Sequence, residues 1–310
     1  MGDRRILTVD SPVAAARKAW ASGLTAHLAI EPVAVADGED NRRVHRQSHA
    51  REMQATESMA GLAVLPPHPP LPQWYGPQEQ REAFVRGLFD RTAAHYDGVN
   101  RLLSLGSGRW YRRQALRNAG LAPGMQMLDV ATGTGLLARE ALGMVGERGA
   151  VVGLDPSEGM LAECQRALPA MTVLRGKAEA LPVADGCCDF LALGYALRHI
   201  ADAATAFREF HRALRPGGRV LILEKIRPRG RVLHAVARGW FGGAVPLLSR
   251  FTRGGNGAEA RTLMRYYWDT VEHCIPPETI MGALVEAGFT DIGCRRQLDL
   301  FGAYTGRKPG

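Results

Sequence analysis

The feature that most constrains this chain is a glycine turn at the end of an apolar run, Leu128-Asp129-Val130-Ala131-Thr132-Gly133-Thr134-Gly135. Glycines between a strand and a helix let backbone approach a ligand closely and aim amide groups from the helix N-terminus at it. A second apolar run, 150–156, brings Asp155 twenty residues after Gly135. An acid at that place can accept hydrogen bonds from both hydroxyls of a ribose.

The rest of the chain beyond residue 80 fits a fold that would use such a turn. Apolar runs at 125–131, 150–156, 171–176, 189–195 and 219–225 alternate with stretches such as 136–145 and 202–214, whose apolar residues fall three and four apart. Strands separated by helices imply a mostly parallel sheet covered on both faces. Residues 289–308 predict two further strands with no helix between them, hence an antiparallel finish. The expectation is an α/β, Rossmann-like, seven-stranded mostly parallel sheet with a C-terminal antiparallel strand, occupying 80–310.

Residues 1–79 read as a poorly ordered extension and linker. The stretch 36–58 has almost nothing apolar to bury, which predicts disorder. An Ala-rich segment at 13–29 suits a helix, and six prolines in 66–77 predict an extended, helix-free linker. Met53 and Met59 are alternative starts, so whether 1–58 belongs to the native protein stays open. No apolar run approaches the roughly 20 residues of a membrane span, and the first residues lack a secretory h-region. A cytoplasmic location is expected. Five scattered cysteines suit reduced thiols, and none shares a zinc spacing with histidine, so no metal is expected. The net charge of +8 comes with no nucleic-acid signature, and no nucleic-acid partner is expected.

Taken alone, Gly133-x-Gly135-x-x-Ala138 also fits a dinucleotide fingerprint, so a nicotinamide cofactor and a bare turn both remain open at this level. Three features favour S-adenosyl-L-methionine. Asp129 precedes the loop, where a carboxylate can meet an amino group; the third strand leads into GKAEALPVADGCCDF; and LRPGGRVLILE introduces the fifth.

Together with LFDRTAAHYDGVNRLLSLGSGRWYRRQAL, GYALRHI and MRYYWDTVEHCIPPETIMGALVEAGF, these segments resemble class I methyltransferases, specifically the ubiquinone/menaquinone biosynthesis C-methyltransferase family. The resemblance runs from about Phe84 to Lys308 and implies the class I methyltransferase fold with a helical lid at about 226–270. It implies S-adenosyl-L-methionine as cofactor, with Asp129, Ala131, Thr132, Gly133 and Gly135 around the methionine part and the loop. Asp155 would hold the ribose, with Met160 and Ala178 near the adenine and Tyr195 beside the cofactor. Tyr96 and Asn100, four apart on one helix face, would turn toward cofactor and substrate. The chain departs from the family at Leu136 and Lys177, where relatives carry acids; a lysine cannot accept a hydrogen bond, so adenine must lean on backbone near Ala178.

A carbon nucleophile becomes electron-rich by losing a phenolic or enolic proton, so a positioned base helps. Arg198 and His199 follow the fourth strand, at the edge where open α/β sheets bind ligands. His199 is expected to take the substrate proton, directly or through water, while Arg198 stabilises the oxyanion and Tyr96 faces the reaction. The plainer alternative for His199 is a cap or backbone bond. The expected partner is a small apolar or aromatic, quinone-like methyl acceptor. An O- or N-methyltransferase of a phenolic, lipid or polyketide-like substrate, and a non-catalytic binder of the same cofactor, are the alternatives. The Arg-rich, aromatic stretch 226–256 suits either an ordinary lid or a peripheral contact with a membrane surface, and a homodimer is compatible with the reading.

Overall fold

The computed structural model describes residues 6–7, 64–104, 106–248 and 257–310. The helix expected at 13–29 and the disorder expected at 36–58 lie outside the described residues. Five parallel strands form the heart of the sheet: β1 (Gln126–Val130), β2 (Ala150–Asp155), β3 (Thr172–Arg175), β4 (Cys188–Gly194) and β5 (Leu214–Lys225). Two more, β6 (Thr290–Gln297) and β7 (Phe301–Arg307), close it in the order β3-β2-β1-β4-β5-β7-β6. β7 runs antiparallel to both β5 and β6, as the helix-free end of the chain predicted. A two-residue strand, Ile6–Leu7, pairs with β3 at the far edge and was not expected.

Side-chain alternation carries β1 into apolar cores on both faces, with Gln126 and Asp129 buried along with its apolar residues. Leu128 and Val130 join one core with Phe207 and Phe210, while Met127 joins the opposite core with Ala138 and Ala141. A strand buried on both faces has no polar side to show. The chain runs outward from β1 through β2 and β3, then returns to add β4 on β1's other flank. That reversal opens a crevice at the C-terminal ends of β1 and β4, the usual ligand position in such sheets.

The helices over this edge are α1 (Pro72–Tyr75), α2 (Arg81–Leu103) and α3 (Gly108–Asn118), followed by α4 (Leu136–Val145) and α5 (Glu158–Ala167) after β1 and β2. After β4 come a 3₁₀ turn (Leu197–His199) and α6 (Ala203–Ala213). Between β5 and β6 lie α7 (Arg231–Gly239), a π-turn at Trp240–Ala244, α8 (Val245–Leu248), α9 (Gly257–His273) and α10 (Pro277–Glu286). Leu88 and Val99 of α2 pack with Phe241, Met264, Tyr266 and Val271 into a third apolar core above the crevice.

The proline-rich stretch is not an extended linker throughout, and the expectation of no helix there is corrected. Pro72 occupies the first helical position of α1, where its missing N–H costs nothing. The backbone before it is tied down: Ala203 N–H donates to Leu65 O at 2.9 Å and Ile275 N–H to Pro67 O at 2.9 Å. The Asp202 carboxylate accepts the Leu65 N–H at 2.9 Å, and the Tyr75 hydroxyl accepts the Leu71 N–H at 2.6 Å.

Candidate cofactor and acceptor site

The turn after β1 and the acid ending β2 are in direct contact. One Asp155 carboxylate oxygen accepts the Gly133 N–H at 2.9 Å, and the other accepts the Ser157 N–H at 2.9 Å. Burial pushes the Asp155 carboxyl up to about 6, against those two donors. Beneath the turn, Thr132 Oγ1 donates to Asp129 at 2.7 Å, and burial raises the Asp129 carboxyl to about 7. Gly135 has φ +81°, and a Cβ there would meet Cys164 Sγ and Leu168 Cδ1, each at 2.8 Å. Ala131 and Tyr195 also adopt positive φ, 52° and 62°, at the ends of β1 and β4. Such strain in non-glycine residues gathers where a site needs a particular backbone shape.

α2 is fastened across these loops by charged side chains. Asp90 accepts from Ser157 Oγ at 2.6 Å and from Gly159 N–H at 3.0 Å. Two turns on, Asp97 accepts from Thr134 Oγ1 at 2.5 Å, which puts a carboxylate beside the loop that Leu136 does not supply. At the helix start, Arg81 donates to the carbonyls of Ile200 at 2.7 Å and Arg198 at 3.0 Å. Lys177, in place of the family's acid, is drawn to Glu82 on the same helix, with its ammonium 2.7 Å from the carboxylate.

Two cavities open under α2. The larger, about 620 Å³, is lined by Tyr96, Ala131, Gly133, Asp155, Met160, Ala178, Tyr195 and His199 among others. The smaller, about 370 Å³, is lined by Tyr96, Asn100, Tyr195, Lys225 and Tyr267 among others. Tyr96 and Tyr195 belong to both, so the cavities meet at that pair of rings. The larger has the size of a small-molecule site. Its chemistry suits an adenosyl ligand: a carboxylate for a diol, an apolar Met160 floor, and the buried, unpartnered Nδ1 of His199.

Not every residue singled out in the sequence reaches a cavity wall. Asp129, Thr132 and Gly135 are buried in the turn behind the cavity wall, with Asp129 accepting from Thr132 Oγ1. Asn100 faces only the smaller cavity. Arg198 lines neither. Its guanidinium is fully buried, paired with the equally buried Glu224, donating to Thr270 Oγ1 at 3.2 Å and lying 4.5 Å from the Tyr267 ring centroid. That placement does not fit the oxyanion role expected of Arg198. His199 stands in the larger cavity, between Phe89 and Tyr266 at 5.0 and 5.6 Å between ring centroids. Burial and the Arg198 charge push its imidazole well below the usual histidine range, so it is neutral. It lines the larger cavity and not the smaller one.

The sequence reading passed over Asp90 as a site residue, and Arg81 and Lys225 altogether. The spacing of Asp90 and Asp97 is a readable signal, since residues seven apart share a helix face. Nothing in the local pattern marks Arg81 or Lys225.

Residues 77–298 match the model of the ubiE/COQ5 methyltransferase family. A ubiquinone/menaquinone biosynthesis C-methyltransferase of Syntrophotalea carbinolica is 35% identical over 222 residues, covering 70% of this chain and 90% of that protein. A demethylmenaquinone methyltransferase of Symbiobacterium thermophilum is 32% identical over 220 residues, covering 69% and 87%. Among solved structures, phosphoethanolamine N-methyltransferase 2 of Haemonchus contortus in complex with S-adenosyl-L-methionine aligns with a TM-score of 0.52 at 19% identity. That alignment covers 73% of this chain and 60% of the other, and the likeness is one of fold.

Proposed function

Because the chain belongs to the ubiE/COQ5 methyltransferase family, whose members are S-adenosyl-L-methionine-dependent enzymes, we propose that it methylates a ring carbon of a reduced, quinone-like aromatic acceptor. The observation that carries this reading is the meeting of two cavities at Tyr96 and Tyr195, with Asp155 on the wall of the larger. The donor belongs in the larger cavity and the acceptor in the smaller, with the methyl passing between the two tyrosine rings.

The bound sulfonium supplies an electrophilic methyl, and displacement at it needs alignment more than covalent help. Asp155 holds the ribose diol, Met160 and Ala178 flank the adenine, and Ala131 and Gly133 bring backbone to the methionine part. His199, neutral through burial, offers an unpartnered ring nitrogen to the same ligand. Tyr96, Tyr195 and Tyr267 surround the acceptor with aromatic surface that keeps water out. Large apolar side chains stand exposed at the mouth of the smaller cavity, Trp110 at 66% and Leu298 at 79%. That rim suits an acceptor drawn from a membrane surface.

The test is to supply purified protein with methyl-labelled S-adenosyl-L-methionine and reduced demethylmenaquinone, and to locate the label by mass spectrometry and NMR. One methyl on a ring carbon is expected. A methyl on oxygen, or no transfer while S-adenosylhomocysteine binds, refutes the acceptor assignment.

A further inference from the structure

The smaller cavity holds one charged group that none of the machinery above uses. Lys225 ends β5 at the ligand edge of the sheet and is only 7% exposed. Strand alternation separates it from its neighbour. Glu224 turns inward to Arg198, and Lys225 turns into the cavity. Its ammonium nitrogen lies 4.2 Å from the Phe241 ring centroid, 5.1 Å from Tyr267 and 5.5 Å from Phe301. Those ring faces hold a cation without neutralising it. The nearest acid in sequence, Glu224, is occupied by the Arg198 guanidinium and by the backbone N–H groups of Arg198 and Lys225. Among the described residues no carboxylate pairs with the Lys225 nitrogen.

We propose that Lys225 is the acid–base residue of the acceptor cavity, taking the phenolic proton of the acceptor and then holding the resulting oxyanion. The proposal rests on reading the smaller cavity as the acceptor site. The acceptor O–H bond breaks as an N–H bond forms on the lysine amine. The electron-rich ring carbon then forms a bond to the methyl as the methyl–sulfur bond breaks, and sulfur leaves as a neutral thioether. Loss of the ring C–H proton to water restores aromaticity, and the oxyanion takes its proton back from the ammonium. The amine is reset and one proton is released per turnover.

The surroundings set the lysine for this task. Burial lowers its ammonium to about 7, helped by the charges of Arg198 from the turn after β4 and Arg112 from α3. The phenols facing the same space are Tyr96 from α2, Tyr111 from α3, Tyr195 from β4 and Tyr267 from α9. Burial raises all four, so they stay protonated near neutral pH. A base is most effective when its free form is populated at the working pH.

The test uses two variants and two readouts. In the first, 4-nitrophenol is added to protein saturated with S-adenosylhomocysteine at pH 6, and its phenolate absorbance is read. Wild type and Lys225→Arg are expected to bind the phenolate, and Lys225→Met the neutral phenol. In the second, turnover of reduced demethylmenaquinone is followed against pH. Wild type is expected to show an acid limb near pH 7 in kcat/KM. Both variants lose that limb and fall about 100-fold at neutral pH, the usual scale for removing a general base. Phenolate binding equal in wild type and Lys225→Met overturns the proposal, as does wild-type turnover in Lys225→Arg. Failure of wild type to bind S-adenosylhomocysteine in calorimetry would instead overturn the functional reading beneath it.

Discussion

The buried carboxylate of Asp155 makes cofactor affinity depend on pH in a calculable way. Its carboxyl is pushed up to about 6 from a reference of 3.8, chiefly by burial, while the Gly133 and Ser157 amides pull the other way. In the ligand-free protein the folded state therefore holds the proton more tightly than the unfolded chain. Stability falls as pH rises from 3.8 toward 6, and the full loss is present above 6. A ribose diol donating two hydrogen bonds reverses the preference, because it favours the ionised carboxylate. Below pH 6, binding must first expel a proton. The dissociation constant for S-adenosylhomocysteine should then rise about tenfold between pH 7 and pH 5, or about 1.4 kcal/mol. Titration calorimetry at several pH values reads this directly, including the proton released at pH 5 in buffers of different ionisation enthalpy. Asp155→Asn should bind more weakly at pH 7 by about 1.5–3 kcal/mol, the value of hydrogen bonds to a charged group. It should lose the pH dependence as well. A wild-type dissociation constant that stays within about twofold across this range, against the tenfold linkage, means that Asp155 does not hold the ligand as an anion.

Two other perturbations probe the scaffold. Gly135→Ala places a Cβ 2.8 Å from Cys164 Sγ and Leu168 Cδ1 at φ +81°. It should cost about 1–3 kcal/mol in urea unfolding and weaken S-adenosylhomocysteine binding, and unchanged unfolding would show that the turn relaxes freely. Arg198→Met strands the fully buried Glu224 carboxylate. It should cost about 3–5 kcal/mol, with a fall in Tm of roughly 6–20 °C for a domain of this size. The double variant Arg198→Met, Glu224→Met should recover much of that loss. No recovery would mean that the pair is not coupled.

The sheet was legible because burial on both faces makes its central strands largely apolar. The expected run 125–131 contains Gln126–Val130, and 171–176 contains Thr172–Arg175. β5 starts earlier than expected, at Leu214, because the backbone of the LRPGG turn already pairs Leu214 with Cys188. Prolines at 66–77 suggested a free linker, since proline offers no N–H. The structure instead anchors that stretch through carbonyls, which proline keeps. The direction of Arg198 was hidden for another reason. Its partner Glu224 lies 26 residues away on the adjoining strand, and no local pattern shows which way a guanidinium turns at a strand end. Lys225 was overlooked with it, one residue further along and on the opposite face.

The fastening of α2 couples it to the loops that form the ligand site. Arg81, Asp90 and Asp97 pin a 23-residue helix over both ligand spaces, so that helix and the loops beneath it are held as one unit. A ligand seated on those loops therefore restrains the helix as well. Amide exchange should accordingly slow along 81–103, as well as in the loops themselves, when the donor is bound.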